Sequence, residues 1–380
     1  MKRLIILATV ALLAMSASAQ RSEAKKYINK YDVICYIKDI MKGYPDVFWT
    51  AIGTHNKRVE EIGKAIESGN KTALKTADYL IELCATMQYY DFTANGYSDL
   101  TDRIARDLGI EEEHRKTPIR IINDDTYNAS MDPMGQMRIN TGTIRTLTYE
   151  ELIAVCAHEL AHLACMHTFD RAWKSEKKKK RNRFWAGLET GLLVGAAAAT
   201  AGYGIANGVE MQSANTILSN AGYFLEVSYA DADLSTVRFT YRYSREQEIE
   251  ADIIAYRFME YMGYGVRHWI SAMRKMKEID SRTVLSKYDD HPLTALRLEI
   301  LETLDKETMN RGNLYSRLIG TGKVTKREIG SREEFINTIK DKQAAKEFYA
   351  RIIESGLLTA KDIGTEKDFI NSVSADFWRK

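Results

Sequence analysis

Little in this sequence is unbalanced, and each shortage excludes something. Only 4 of its 380 residues are proline, which speaks against a Pro-rich or many-turned all-β chain. No charge sign dominates. Lys and Arg number 54 against 52 Asp and Glu, so a formal net charge of +2 gives no global attraction to nucleic acid. Four cysteines are too few for a disulfide-built scaffold. Low-complexity tracts are scarce. What remains is an ordinary globular composition on a chain long enough to bury a full core and to divide into more than one domain.

Residues 1–19 read as an address. Lys2 and Arg3 form a basic start, Leu4 to Met15 an apolar run, and Ala17-Ser18-Ala19 a small-residue cleavage site before Gln20. The expected mature chain is therefore exported, to a periplasm or cell envelope or to the outside. No cysteine follows the cleavage site to carry a lipid anchor. An exported chain permits disulfides, and Cys35 with Cys84 is the pair left open. Cys156 and Cys165 fall on one expected helix, too far apart along it to bridge each other, and read as small buried hydrophobes.

Apolar spacing predicts a mainly helical chain with a small β element. Residues 20–74 read as a helical extension without a chemical constellation. Helices are expected over Lys75–Tyr90 and Tyr97–Leu108, the second stopped by Gly109. Pro118–Ile122 and Met137–Asn140 read as short strands, the latter after a Pro133-Met-Gly135 turn. Thr148–Thr168 reads as one helix, with Thr148 and Glu151 forming a capping box, and Ser244–Met262 as another, with Ser244 and Gln247 in the same roles. Near the end, Val324–Asn337 aligns with Leu358–Asn371, thirty-four residues later, as a helical unit used twice. The expected organisation is a signal peptide (1–19), a helical extension (20–74), a catalytic domain (75–305) and a helical module (306–380).

Chemistry concentrates at His158-Glu159-Leu160-Ala161-His162, an HExxH motif in the middle of the Thr148 helix. Residues four apart share a helix face, so both imidazoles can reach one metal ion, with Glu159 placed to act as general base. A catalytic zinc needs a third protein ligand and an open position. Glu248, 86 residues beyond His162 on its own helix, is the best candidate, though several carboxylates compete nearby. Asp252 shares its face and suits a hydrogen bond to a ligand imidazole. Glu246 and Glu250 read as solvated charges. His167, five residues past His162, reads as off the ligand face and outside the site.

Four pieces in order resemble the HtpX and CAAX-protease type of zinc metallopeptidases, metallopeptidase family 48. They are Asn128-Ala-Ser with Pro133-Met-Gly135 and Arg138-Ile-Asn-Thr-Gly142; the HExxH helix with His167; Ser244-Arg-Glu-Gln-Glu-Ile-Glu-Ala-Asp252; and His291-Pro292 with Arg297. The resemblance covers roughly residues 75–305. It implies a zincin-like α+β core, one zinc per chain held by His158, His162 and Glu248, and Glu159 as the base. It also implies that Gln136–Thr141, with Met137, Arg138, Ile139 and Asn140 at its centre, is an edge strand receiving an extended substrate; the competing reading is an ordinary buried strand. For His291 the choice stands between polarising the scissile carbonyl, approaching and blocking the zinc, and a plain helix-breaking turn. Arg245 and Arg297 read as structural ion-pair partners.

Thr190–Val209 carries no charge and follows a basic run, Lys177–Arg183. A membrane anchor and a helical pair packed beside the active site both fit; its many glycines and alanines favour the pair. The expected function is an exported zinc endopeptidase acting on unfolded or misfolded envelope proteins, with no nucleic-acid partner and with peripheral membrane or envelope-complex contact left open. The alternatives are a chaperone-like or latent protease-fold binding protein with a self-inhibited zinc site, a structural metal protein, and a protease acting outside the cell.

Overall fold

Two capping boxes fix the ends of the two helices around which the molecule is arranged. The computed structural model describes residues 22–32, 45–90, 92–110, 118–181, 243–280, 295–311 and 313–377. The N-terminal address, Cys35, residues 182–242 with the uncharged 190–209 run, and His291 lie outside the described residues. In chain order the elements are α1 (residues 22–31), α2 (Pro45–His55), α3 (Lys57–Glu67), α4 (Lys71–Tyr90) and α5 (Ser98–Leu108). Strands β1 (Ile119–Ile122), β2 (Ala129–Met131) and β3 (Met137–Asn140) follow. Then come α6 (Thr141–Thr146), α7 (Tyr149–Ala164), α8 (His167–Arg181), α9 (Arg245–Tyr261), α10 (Arg267–Asp280) and α11 (Ala295–Arg311).

The α7 cap is reciprocal. The Thr148 hydroxyl accepts the Glu151 N–H, and the Glu151 carboxylate accepts the Thr148 N–H at 2.8 Å. Glu151 also accepts from Ser271 at 2.6 Å and Lys275 at 2.7 Å on α10, so one buried carboxylate caps α7 and ties α10 to it. Every residue from Glu151 to His162 is buried, as expected of a helix packed on all sides. Its main partner is α9, capped the same way by Ser244 and Gln247. Fully buried alanines on both (Ala154, Ala157, Ala161, Ala251, Ala255) suit close packing.

The expected single helix Thr148–Thr168 is two. α7 ends at Ala164, Met166 takes a left-handed φ of 51°, and α8 starts at His167, bent 45° from α7. No glycine or proline marks the break, so the sequence pattern runs through it.

The sheet order is β1-β3-β2, with β3 parallel to β1 and antiparallel to β2. This corrects the edge-strand expectation: Met137, Arg138, Ile139 and Asn140 form the central strand, paired on both sides and wholly buried. Strand order depends on partners distant in sequence, which a short alternating run does not reveal. Arg138 has an internal task. It donates to Asp132 at 3.2 Å and Gln136 at 3.1 Å, closing the β2–β3 turn from inside. The two edges are β1, whose far side is bridged by Thr93, and β2, which packs beside α7. Because Asn140 N–H bonds to Asn128 and Asp132 N–H to Gln136, alternation turns the backbone groups of Ala129 and Met131 away from β3. Among the described residues no strand pairs with that side.

The main apolar core joins α1, α2, α5, the sheet, α7, α9, α10 and α11. A satellite core joins α3, α4 and α8; Cys84, on α4, is buried with a free thiol. A third core is confined to Leu314–Val373, built from the repeat: α12 (Leu314–Gly320), α13 (Lys326–Ile329) and α14 (Arg332–Thr338), then α15 (Lys342–Glu354), α16 (Ala360–Ile363) and α17 (Glu366–Phe377). The copies repeat the same tyrosine–glycine bond. Tyr315 donates to Gly330 O and Tyr349 to Gly364 O, both at 3.0 Å, and both glycines have positive φ, 82° and 81°. Phe335 and Phe369 fill the equivalent core positions.

Candidate metal centre

α7 and α9 bring together three of the residues singled out from the sequence. His158 Nε2 and His162 Nε2 lie 3.0 Å apart, and the Glu248 carboxylate faces both, 3.5 Å from each. Donors of a tetrahedral site with bonds near 2.05 Å are about 3.3 Å apart. Two imidazoles and a carboxylate, all buried and converging at these separations, fit one divalent cation. Glu159 is on α7 next to His158 and is 2 % exposed.

Asp252 sits behind the first imidazole, its Oδ1 3.1 Å from His158 Nδ1. Arg297, on α11, donates Nε and Nη2 to Asp252 at 2.6 and 2.8 Å and reaches Glu248 with Nη1 at 2.8 Å. Burial alone would raise the Asp252 pKa. The guanidinium and His158 outweigh it and hold the carboxyl below its usual range. Arg297 is thus a structural ion-pair partner, and a central one. Arg245 is the peripheral case, 3.7 Å from Glu23 on the surface.

The second imidazole has surroundings that spacing did not disclose. Tyr243 stacks on His162, ring centroids 3.7 Å apart. His167, bent back by the α7–α8 break, places its Nδ1 2.8 Å from His162 Nδ1. Glu250 is buried rather than solvated: its Oε2 lies 3.2 Å from His167 Nε2 and 3.0 Å from Arg58, and Oε1 accepts from Asn56 at 3.0 Å. Burial would raise its pKa, but His167 and Arg58 bring it down to about 2. Glu246 is the exposed charge it was expected to be, paired loosely with Lys30. Asn56 and Arg58 belong to the N-terminal extension, which therefore does contribute to the centre. The missed signal was the Glu-x-Glu spacing of Glu248 and Glu250, which a buried, partnered second carboxylate explains.

A buried histidine pair on one helix, faced by a carboxylate from a second helix and lying beside a small sheet, is the arrangement expected of a metallopeptidase centre. Residues 94–305 match peptidase family M48, and the chain belongs to that family. Over 203 residues it is 25 % identical to metalloprotease LoiP of Escherichia coli (strain K12), an alignment spanning 53 % of this chain and 68 % of that protein.

Proposed function

We propose that the protein is an exported zinc endopeptidase that cleaves unfolded or misfolded envelope proteins. The observation that carries the reading is the convergence of His158 Nε2, His162 Nε2 and the Glu248 carboxylate on one point. These three residues would hold one zinc per chain. When bound, zinc supplies Lewis acidity toward water and the scissile carbonyl. Asp252, tied to Arg297, orients His158. Glu159 takes the proton of the attacking water on its carboxylate and hands it to the leaving amine. The substrate is bound extended against β2, through the outward backbone groups of Ala129 and Met131, a mode that asks little of side-chain sequence and suits unfolded chains. The signal-like residues 1–19 support export, and the relative's name supports proteolysis.

Metal analysis and casein cleavage on residues 20–380 and on Glu159→Gln test this. One zinc in both proteins, with cleavage reduced about 100-fold or more in the variant, is the expected result. Zinc in both without cleavage by either would replace the peptidase with a latent or binding function, and His291→Ala would be the next variant.

A further inference from the structure

The arm behind His162 is not used by the steps above. Its atoms form a line: His162 Nδ1 to His167 Nδ1 at 2.8 Å, His167 Nε2 to Glu250 Oε2 at 3.2 Å, then Asn56 and Arg58 donating to Glu250 at 3.0 Å each. Two neutral imidazoles joined Nδ1 to Nδ1 hold one proton between those atoms. If His162 coordinates through Nε2, its own proton sits on Nδ1 and His167 Nδ1 must accept it. The remaining proton of His167 is then on Nε2, aimed at a carboxylate. Every atom on the line has a partner of the right kind. The reverse assignment puts a lone pair of His167 against Glu250 and a proton on His162 Nε2, where the metal binds.

We propose that His167 is a positioning residue for the metal centre, fixing the tautomer and ring orientation of His162 and anchoring them through Glu250, Asn56 and Arg58. The proposal rests on the metal-site reading of His158, His162 and Glu248. Cys165, His167 and Glu250 also lie close enough together to hold a cation of their own. Arg58 argues against that, because its guanidinium already occupies Glu250 and places a positive charge where the ion would go.

Chelator-competition zinc binding on residues 20–380 tests the proposal, comparing the parent with His167→Phe, His167→Gln and Arg58→Met. Circular dichroism of the metal-free proteins verifies folding. His167→Phe should keep one site but bind zinc about 10- to 100-fold more weakly, with an altered cobalt(II) absorption spectrum. His167→Gln, which can still accept from His162 and donate to Glu250, should recover most of the loss. Arg58→Met, which weakens the anchor and also removes the contacts of Arg58 to Asp170 and Cys165 O, should show a smaller loss of the same sign, and serves where His167→Phe does not fold. Unchanged zinc affinity in folded variants would overturn the proposal and leave the metal centre standing. So would two zinc ions in the parent with one lost in His167→Phe, which would assign a second metal site. A folded parent that binds no zinc would overturn the metal centre and this inference together.

Discussion

At the scale of the residue, the centre is governed by buried charge. Glu248 and Asp252 are both fully buried, and Arg297 lies between them. Arg297→Met should cost about 3–5 kcal/mol, because it leaves two carboxylates out of water without their cation; denaturant unfolding in chelator measures it. Zinc should restore more stability to this variant than to the parent, since the ion brings positive charge back beside Glu248. The residues legible in sequence were those whose relation is local. His158 with His162, and Glu248 with Asp252, are four-residue spacings that any straight helix converts into a shared face. His167 was not legible. Five positions on an unbroken helix points it elsewhere, and the turn at Met166 that returns it to His162 carries no glycine or proline. Glu250 followed His167 into error, because a carboxylate reads as solvated until its partners are seen.

At the scale of the element, both capping boxes were readable and both formed, since they involve residues three apart. Glu151 shows what such a cap adds. Burial would raise its pKa, but Lys275, Ser271 and the Thr148 N–H hold it below the ordinary 4.5. A depressed carboxyl stabilises the fold above its unfolded pKa and loses that contribution as pH falls through the folded value. Stability should therefore decline below about pH 4.5 in the parent, and more shallowly in Glu151→Gln. At neutral pH Glu151→Ala should cost about 2 kcal/mol by thermal or denaturant unfolding. Strand order was the illegible part: nothing within Met137–Asn140 tells that β3 lies between β1 and β2. The joint after β3 is tight. A Cβ on Gly142 would stand 2.2 Å from Asp125 O and 2.4 Å from Thr126 O, both backbone atoms. Gly142→Ala should destabilise the folded protein by about 1–3 kcal/mol in denaturant unfolding.

At the scale of the whole molecule, the repeat was visible as sequence identity, but its attachment was not. The first copy docks on the peptidase core. Lys326 N–H bonds to Gly263 O at 2.8 Å, Arg327 pairs with Glu150 at 3.0 Å, and Arg267 donates to Thr321 O at 3.1 Å. The second copy shares its apolar core with the first and not with the metal centre. Phe369→Ala should accordingly cost about 3–5 kcal/mol in the unfolding of the C-terminal unit, while zinc content stays at the parent's level; calorimetry with metal analysis separates the two. The proposed activity depends on a smaller part of this architecture, the two imidazoles and one carboxylate that would hold a single zinc ion between α7 and α9. Anomalous diffraction at the zinc edge from crystals of residues 20–380 tests it most directly. One peak is expected, about 2.0–2.2 Å from His158 Nε2, His162 Nε2 and a Glu248 oxygen. A peak centred on Cys165, His167 and Glu250 instead, or none between α7 and α9 in zinc-soaked crystals, would contradict it.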